Sequence, residues 1–259
     1  MNLIYCIGPA GAGKSTLIGE LVGYIQNFNQ DVNLLTINLD PAVRTLPYSP
    51  DIDIQDYINI DQVIEKTQLG PNGAMIAAVD QMVNYLDDIK YEISQYNEPD
   101  YILVDTPGQM ELFAFRNSGP MIANGLGFGQ VQRATMFCYD AQMCSRPNGF
   151  ISTLLLAASV QFRFSNIPQI NVLTKKDLIS PEKLEEMLGW MEDEYNLEAA
   201  VEAKERGMMR EITLALSRAF VEFGTIPELH PISSKYHEGI DDLWAAIQRL
   251  LNDDNSGYY

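Results

Sequence analysis

Eight consecutive residues, Gly8-Pro9-Ala10-Gly11-Ala12-Gly13-Lys14-Ser15, fill every fixed position of a loop that cradles phosphate. Glycines let successive backbone N–H groups turn inward on phosphate oxygens, and a helix starting where the loop ends adds its positive N-terminus. Gly11, Ala12 and Gly13 would then surround the phosphates, with Thr16 beside them. Lys14 would reach the β- and γ-phosphates, and Ser15 would offer its hydroxyl to Mg²⁺. The flanks have the form this chemistry needs. Leu3 to Ile7 reads as a buried strand, and Leu17, Ile18, Leu21, Val22 and Ile25 recur at helical spacing across residues 16–28. A chance glycine-rich turn would carry neither flank. The segment implies a bound nucleoside triphosphate.

Two further strand ends select the chemistry. After the apolar run Tyr101 to Val104 comes Asp105-Thr106-Pro107-Gly108-Gln109. Asp105 is expected to give the Mg²⁺ shell its second support, and Gly108 to leave its N–H free for the γ-phosphate, a phosphate sensor. After Ile167 to Leu173 comes Thr174-Lys175-Lys176-Asp177. The Lys175 stem can lie along a base plane while Asp177 accepts two hydrogen bonds from guanine N1–H and the exocyclic amine. Adenine has no matching donors, and an unpaired buried carboxylate is costly, so the segment discriminates. Ser233 or Ser234, in Pro231-Ile232-Ser233-Ser234-Lys235, would present backbone N–H groups to the guanine carbonyl. The readings without function are a solvated turn at residues 174–177 and an ordinary loop at residues 231–235.

These segments need a frame. Apolar runs at residues 3–7, 32–39, 101–104, 134–139, 167–173 and 229–232 alternate with helical stretches, notably 16–28, 73–95, 149–164 and 241–251. Such alternation predicts an α/β P-loop fold, a mostly parallel sheet with helices on both faces. The 259 residues fit one domain with insertions at about 41–100 and 182–223, the second helical and acidic, and a flexible tail at 252–259. A formal charge of −18 argues against direct nucleic-acid or membrane partners. Cys6, Cys138 and Cys144 form no CxxC pair and suit a reducing compartment. His230 and His237 read as structural. With no leader or spanning segment in view, a soluble, cytoplasmic protein is expected. Phe113, Phe115, Met121, Ile122, Leu126 and Phe128 follow the sensor as core packing or, alternatively, as a groove for a client segment.

Asn38-Leu39-Asp40-Pro41-Ala42, Gly70-Pro71-Asn72-Gly73-Ala74 and Asp105 to Glu111, with the motifs above in the same order, resemble the GPN-loop GTPases over nearly the whole chain. The resemblance implies hydrolysis of GTP to GDP with Mg²⁺ by a homodimeric switch. In it, each subunit's Gly70-Pro71-Asn72 loop projects toward the other's nucleotide, and Asn72 bonds near the γ-phosphate. Pro71 fixes one dihedral and Gly70 and Gly73 relieve steric limits, which suits a tight projecting loop. By the same resemblance Asp40, Gln109 and Glu111 position the attacking water, and Asp40 helps Ser15 and Asp105 hold Mg²⁺. It also implies protein clients, complexes such as RNA polymerase among them. Asp40 alone could be a turn residue before Pro41, and Glu111 a helix-terminal charge. Rival readings are a related ATPase, a small-molecule kinase and a scaffold stabilised by GTP. The ATPase would carry lysine where Pro9 stands, and the kinase a basic lid where residues 182–205 are acidic.

Overall fold

A computed structural model describes residues 1–127, 129–192, 194–222 and 228–253. In chain order the elements are β1 (Asn2–Ile7), α1 (Lys14–Phe28), β2 (Leu34–Asn38), β3 (Ile52–Asp53), α2 (Ile60–Thr67), α3 (Pro71–Gln81) and α4 (Leu86–Gln95). Then come β4 (Tyr101–Asp105), α5 (Met110–Ala114), α6 (Ser118–Gly125), β5 (Gln132–Asp140), α7 (Ala141–Cys144), α8 (Pro147–Arg163) and β6 (Gln169–Thr174). The chain continues through α9 (Pro181–Glu192), α10 (Glu194–Lys204), α11 (Gly207–Glu222), β7 (Leu229–Pro231) and α12 (Ile240–Asp253).

Seven parallel strands lie in the order β3-β2-β4-β1-β5-β6-β7. Alternate side chains of β1 go to opposite faces, and both sets are buried. Tyr5 and Ile7 join Phe113, Phe137, Tyr139 and Phe150 on one face. Ile4 and Cys6 join Leu17, Leu21, Met136 and Trp244 on the other, under α1 and α12. Burial on both faces explains why these strands read as continuous apolar runs. From β1 the chain builds β2, β3 and β4 on one side and then crosses to β5, β6 and β7 on the other, and ligands of such sheets bind at the carboxyl ends where the order reverses. Register puts Cys6 beside Asp105, Asn38 beside Asp105, and Asp140 beside Thr174. Every motif of the sequence reading that ends a strand therefore meets at one edge.

Several expectations change in detail. Instead of one helix over 73–95, α3 and α4 are separated by a 3-10 turn, Met82–Tyr85. That turn buries Met82 and sets Tyr85 against Tyr57, ring centroids 5.6 Å apart. β2 begins at Leu34, because the Val32 N–H closes a turn on the Asn29 carbonyl at 2.9 Å. β3, two residues long, is too short to show any alternation. The first residues of the expected tail continue α12 to Asp253, and the remainder lies outside the described residues. The second insertion forms α9 to α11; its last residue, Phe223, is also outside them. Phe113, Ile122 and Leu126 are core, whereas Phe115 and Met121 are exposed; Phe128 lies outside the described residues. Among the described residues, no helix is long and apolar enough to cross a membrane.

Candidate functional site

The phosphate cradle follows from the turn between β1 and α1. Gly11 (φ +75°) and Gly13 (φ +90°) adopt left-handed backbone that side-chain-bearing residues resist. No side chain caps α1 and its first turn holds no acidic residue, so its positive end remains available to an anion. Ser15 is half-buried in that turn and Thr16 exposed. Lys14 is 5% exposed, and its ammonium donates to the carbonyls of Gly8 at 2.9 Å, Pro9 at 3.2 Å and Gly108 at 3.2 Å. Three donors meet three acceptors, which makes the buried charge tolerable. The same contacts tie the P-loop to the sensor.

At the sensor, the Gly108 N–H is not free. It donates to Asp40 Oδ2 at 2.8 Å, while Asp40 Oδ1 accepts from the Ala42 N–H at 3.0 Å. Asp40 is thus both a turn residue and a partner of the sensor. Gln109 stands at the N-cap of α5, half-buried, and Glu111 is exposed in that helix's first turn. Neither side chain has a hydrogen bond among the described residues.

Asp105 is 1% exposed. Its Oδ2 accepts from the Tyr48 hydroxyl at 3.2 Å, and its Oδ1 has no partner. Burial pushes its carboxyl up to about 6, against the opposing pull of the Ser15 hydroxyl, the Lys14 charge and Tyr48. An orphaned, buried carboxylate oxygen beside a serine hydroxyl is an oxygen donor set that fits Mg²⁺. Tyr48 went unnoticed in the sequence, since no spacing marks it in the loop between β2 and β3. Burial, with Asp105 alongside, drives its phenol well above the ordinary range.

At the other end of the cradle, the Thr174 hydroxyl lies 2.7 Å from the Ala12 carbonyl and 3.0 Å from that of Tyr139. Lys175, with φ +59°, extends its ammonium to the Gly11 carbonyl and to Asp140 Oδ2, each at 2.6 Å. Asp177 is half-buried, and its Oδ1 accepts from the Ser233 hydroxyl at 2.8 Å. The Ser233 N–H, however, donates to the Glu238 carbonyl at 3.0 Å in an antiparallel bridge. Ser233 therefore acts through its hydroxyl. Of the two serines, Ser234 is the one whose N–H has no protein partner among the described residues. Asp140 was also missed, because its role depends on β5 lying beside β6.

Gly70, Pro71 and Asn72 open α3 and are not a loop of their own. Gly70 is the N-cap of α3 in extended backbone (φ −64°, ψ 169°), Pro71 is the first helical residue, and Asn72 lies in the first turn. Proline suits that position, where an N–H has no intrahelical acceptor. Gly70, Pro71 and Asn72 are all exposed. Pro71 and Met75 share a cavity of about 500 Å³ with Pro41, Ala42, Val43 and Arg44, the segment after Asp40.

The family described as "Conserved hypothetical ATP binding protein" matches residues 6–253. GPN-loop GTPase 1 of Dictyostelium discoideum is 30% identical over 257 residues, covering 99% of this chain and 63% of that protein. The chain thus spans under two thirds of that relative's length. GPN-loop GTPase 3 of Eremothecium gossypii is 30% identical over 255 residues, covering 95% and 90%. The apo-form crystal structure of a GTPase from Pyrococcus abyssi superposes with a TM-score of 0.81 at 27% identity, over 95% of this chain and 96% of that one. The family description and the relatives' names agree on a nucleoside triphosphate and differ on its base, and the strand-end segment 174–177 has the guanine-type pattern. With the P-loop, the sensor and Gly70-Pro71-Asn72 on one such fold, the chain belongs to the GPN-loop GTPase family.

Proposed function

We propose that the protein hydrolyses GTP to GDP and phosphate as a Mg²⁺-dependent dimeric switch. The observation that carries this reading is the meeting of Lys14, Asp105, Gly108 and Asp177 along one edge of the sheet. P-loop N–H groups and the α1 terminus hold the phosphates, and Lys14 exchanges its carbonyl partners for β- and γ-oxygens. Ser15 and Asp105 would hold Mg²⁺, which when bound neutralises charge on those oxygens. Water attacks the γ-phosphorus, the bond to the β–γ bridging oxygen breaks, and the water's proton passes to the released phosphate. Gln109, Glu111 and Asp40 orient that water, and Asn72 of a second subunit meets the γ-phosphate. Geometry and charge placement are what this reaction requires of a protein. Protein clients, RNA polymerase among them, are supported by the family resemblance alone.

Asp177 supplies the test. Its carboxylate accepts from two guanine donors, so Asp177→Asn should weaken GTP binding and improve affinity for xanthosine triphosphate, whose added carbonyl needs a donor. Competition binding checks both shifts. Equal affinity of the wild-type chain for ATP and GTP would overturn the base assignment.

A further inference from the structure

We propose that Asp140 is a positioning residue for nucleotide binding: its carboxylate holds the Lys175 side chain across the P-loop without itself touching the nucleotide. The inference rests on reading residues 174–177 as the base site.

Asp140 is the last residue of β5 and pairs in register with Thr174 at the end of β6. Its side chain is 9% exposed, and its two oxygens do different things. Oδ1 accepts from the backbone N–H groups of Gln142 at 2.9 Å and Met143 at 3.3 Å, capping α7. Oδ2 faces the Lys175 ammonium, whose other acceptor is the Gly11 carbonyl. One lysine thus joins the end of β5 to the middle of the phosphate loop.

Capping does not require a carboxylate. Asparagine and serine cap helix N-termini about as well as aspartate. Lys175 does need one. A lysine stem has much rotamer entropy to lose, and this one sits on left-handed backbone, which is unfavourable for a residue with a side chain. The Gly11 carbonyl is a single neutral acceptor, whereas the bond to Asp140 joins opposite charges and is correspondingly stronger. Held at both acceptors, the stem forms a fixed surface above Gly13, whose added Cβ would lie 3.8 Å from Lys175 Cε. Freed from Asp140, it must be ordered anew each time a nucleotide binds.

Asp140→Asn and Asp140→Ser keep a capping oxygen and remove the charge, and either serves should the other fail to fold. Binding of GDP and GTP is measured by calorimetry for each, alone and combined with Lys175→Ala. We expect about a tenfold loss for both nucleotides equally, since both share the base and the loop, with kcat at saturating GTP within about twofold. On the Lys175→Ala background the Asp140 substitution should add nothing, because a positioning residue acts only through what it positions. Asp140→Glu, retaining the charge, should recover part of the affinity. Wild-type affinity in both charge-removing variants would overturn the proposal, as would the same loss on both backgrounds. Competition of ATP against GTP on the wild type reports separately on the base assignment, so the two failures are distinguishable.

Discussion

Lys14, Asp40 and Gly108 occupy one another's hydrogen-bonding groups at the proposed γ-phosphate position. Asp40 holds the sensor N–H with a carboxylate, an anion standing where another anion is due. On the proposed reading GTP would displace it and GDP would not. Asp40→Ala should therefore raise the affinity for GTP relative to GDP severalfold when Mg²⁺ is chelated, by removing both the competing acceptor and a like charge. An unchanged ratio would mean that the carboxylate and the γ-phosphate do not compete. A second residue sets a pH response. Burial holds the His230 imidazole below its ordinary 6.5. The unfolded chain then binds the proton more readily, so stability is full above 6.5 and falls as pH drops from there through the lower folded value. His230→Gln should flatten the decline in Tm below about pH 6.5, which melting curves of the two proteins check. An identical slope would exclude His230 as a source. The residues readable beforehand are those whose proposed partner is the nucleotide, since its chemistry imposes types and spacing along the chain. Tyr48 and Asp140 have protein partners chosen by strand packing, and no local pattern records that choice.

Among the elements, α3 links the Gly70-Pro71-Asn72 segment to the residues just beyond α5. It opens with Pro71 and Asn72, and near its end Asp80 accepts from Arg116 Nε at 2.9 Å and from the Ser118 hydroxyl at 3.0 Å. Arg116 and Ser118 lie just beyond α5, so these bonds tie α3, which begins at Pro71, to the segment that follows Gly108. The Arg116 hydrogen bond, aided by Ser118, holds the Asp80 carboxyl below its ordinary value. The pair is 39% and 42% exposed, and solvent screening limits its contribution to stability to under about 1 kcal/mol. Asp80→Ala should lower Tm only slightly, leave GDP affinity unchanged and slow hydrolysis severalfold. Normal single-turnover hydrolysis in that variant would sever the link between sensor and helix. Helical periodicity alone marks residues 73–95 as one element, because apolar spacing continues through the break. The 3-10 turn at Met82–Tyr85 separates α4 from α3, and it buries Met82 and places Tyr85 against Tyr57. The strands were more evident, since a parallel sheet buried on both faces demands unbroken apolar runs.

For the molecule as a whole, the proposed dimer assigns Asn72 to the nucleotide of a second subunit. The run from Glu65 to Asn72 is exposed throughout, and Asn72 makes no side-chain hydrogen bond among the described residues. A polar group so placed on a chain with a formal charge of −18 suits contact with a second copy, since it adds no further like charge. Yet Pro71 also borders the cavity lined by Pro41 to Arg44 of its own chain, which gives a role within one subunit a structural basis too. Complementation decides between them. Asn72→Ala should cut hydrolysis while sparing nucleotide affinity, because its contact matters in the transition state. Lys14→Ala should lose triphosphate binding outright. In a mixed dimer the intact P-loop belongs to the Asn72→Ala subunit and faces the other subunit's intact Asn72. Hydrolysis should partly recover on mixing if the site is completed between subunits. With subunit exchange verified by mass and one competent site able to fire alone, no recovery would point to an Asn72 that acts within its own subunit or has no catalytic part.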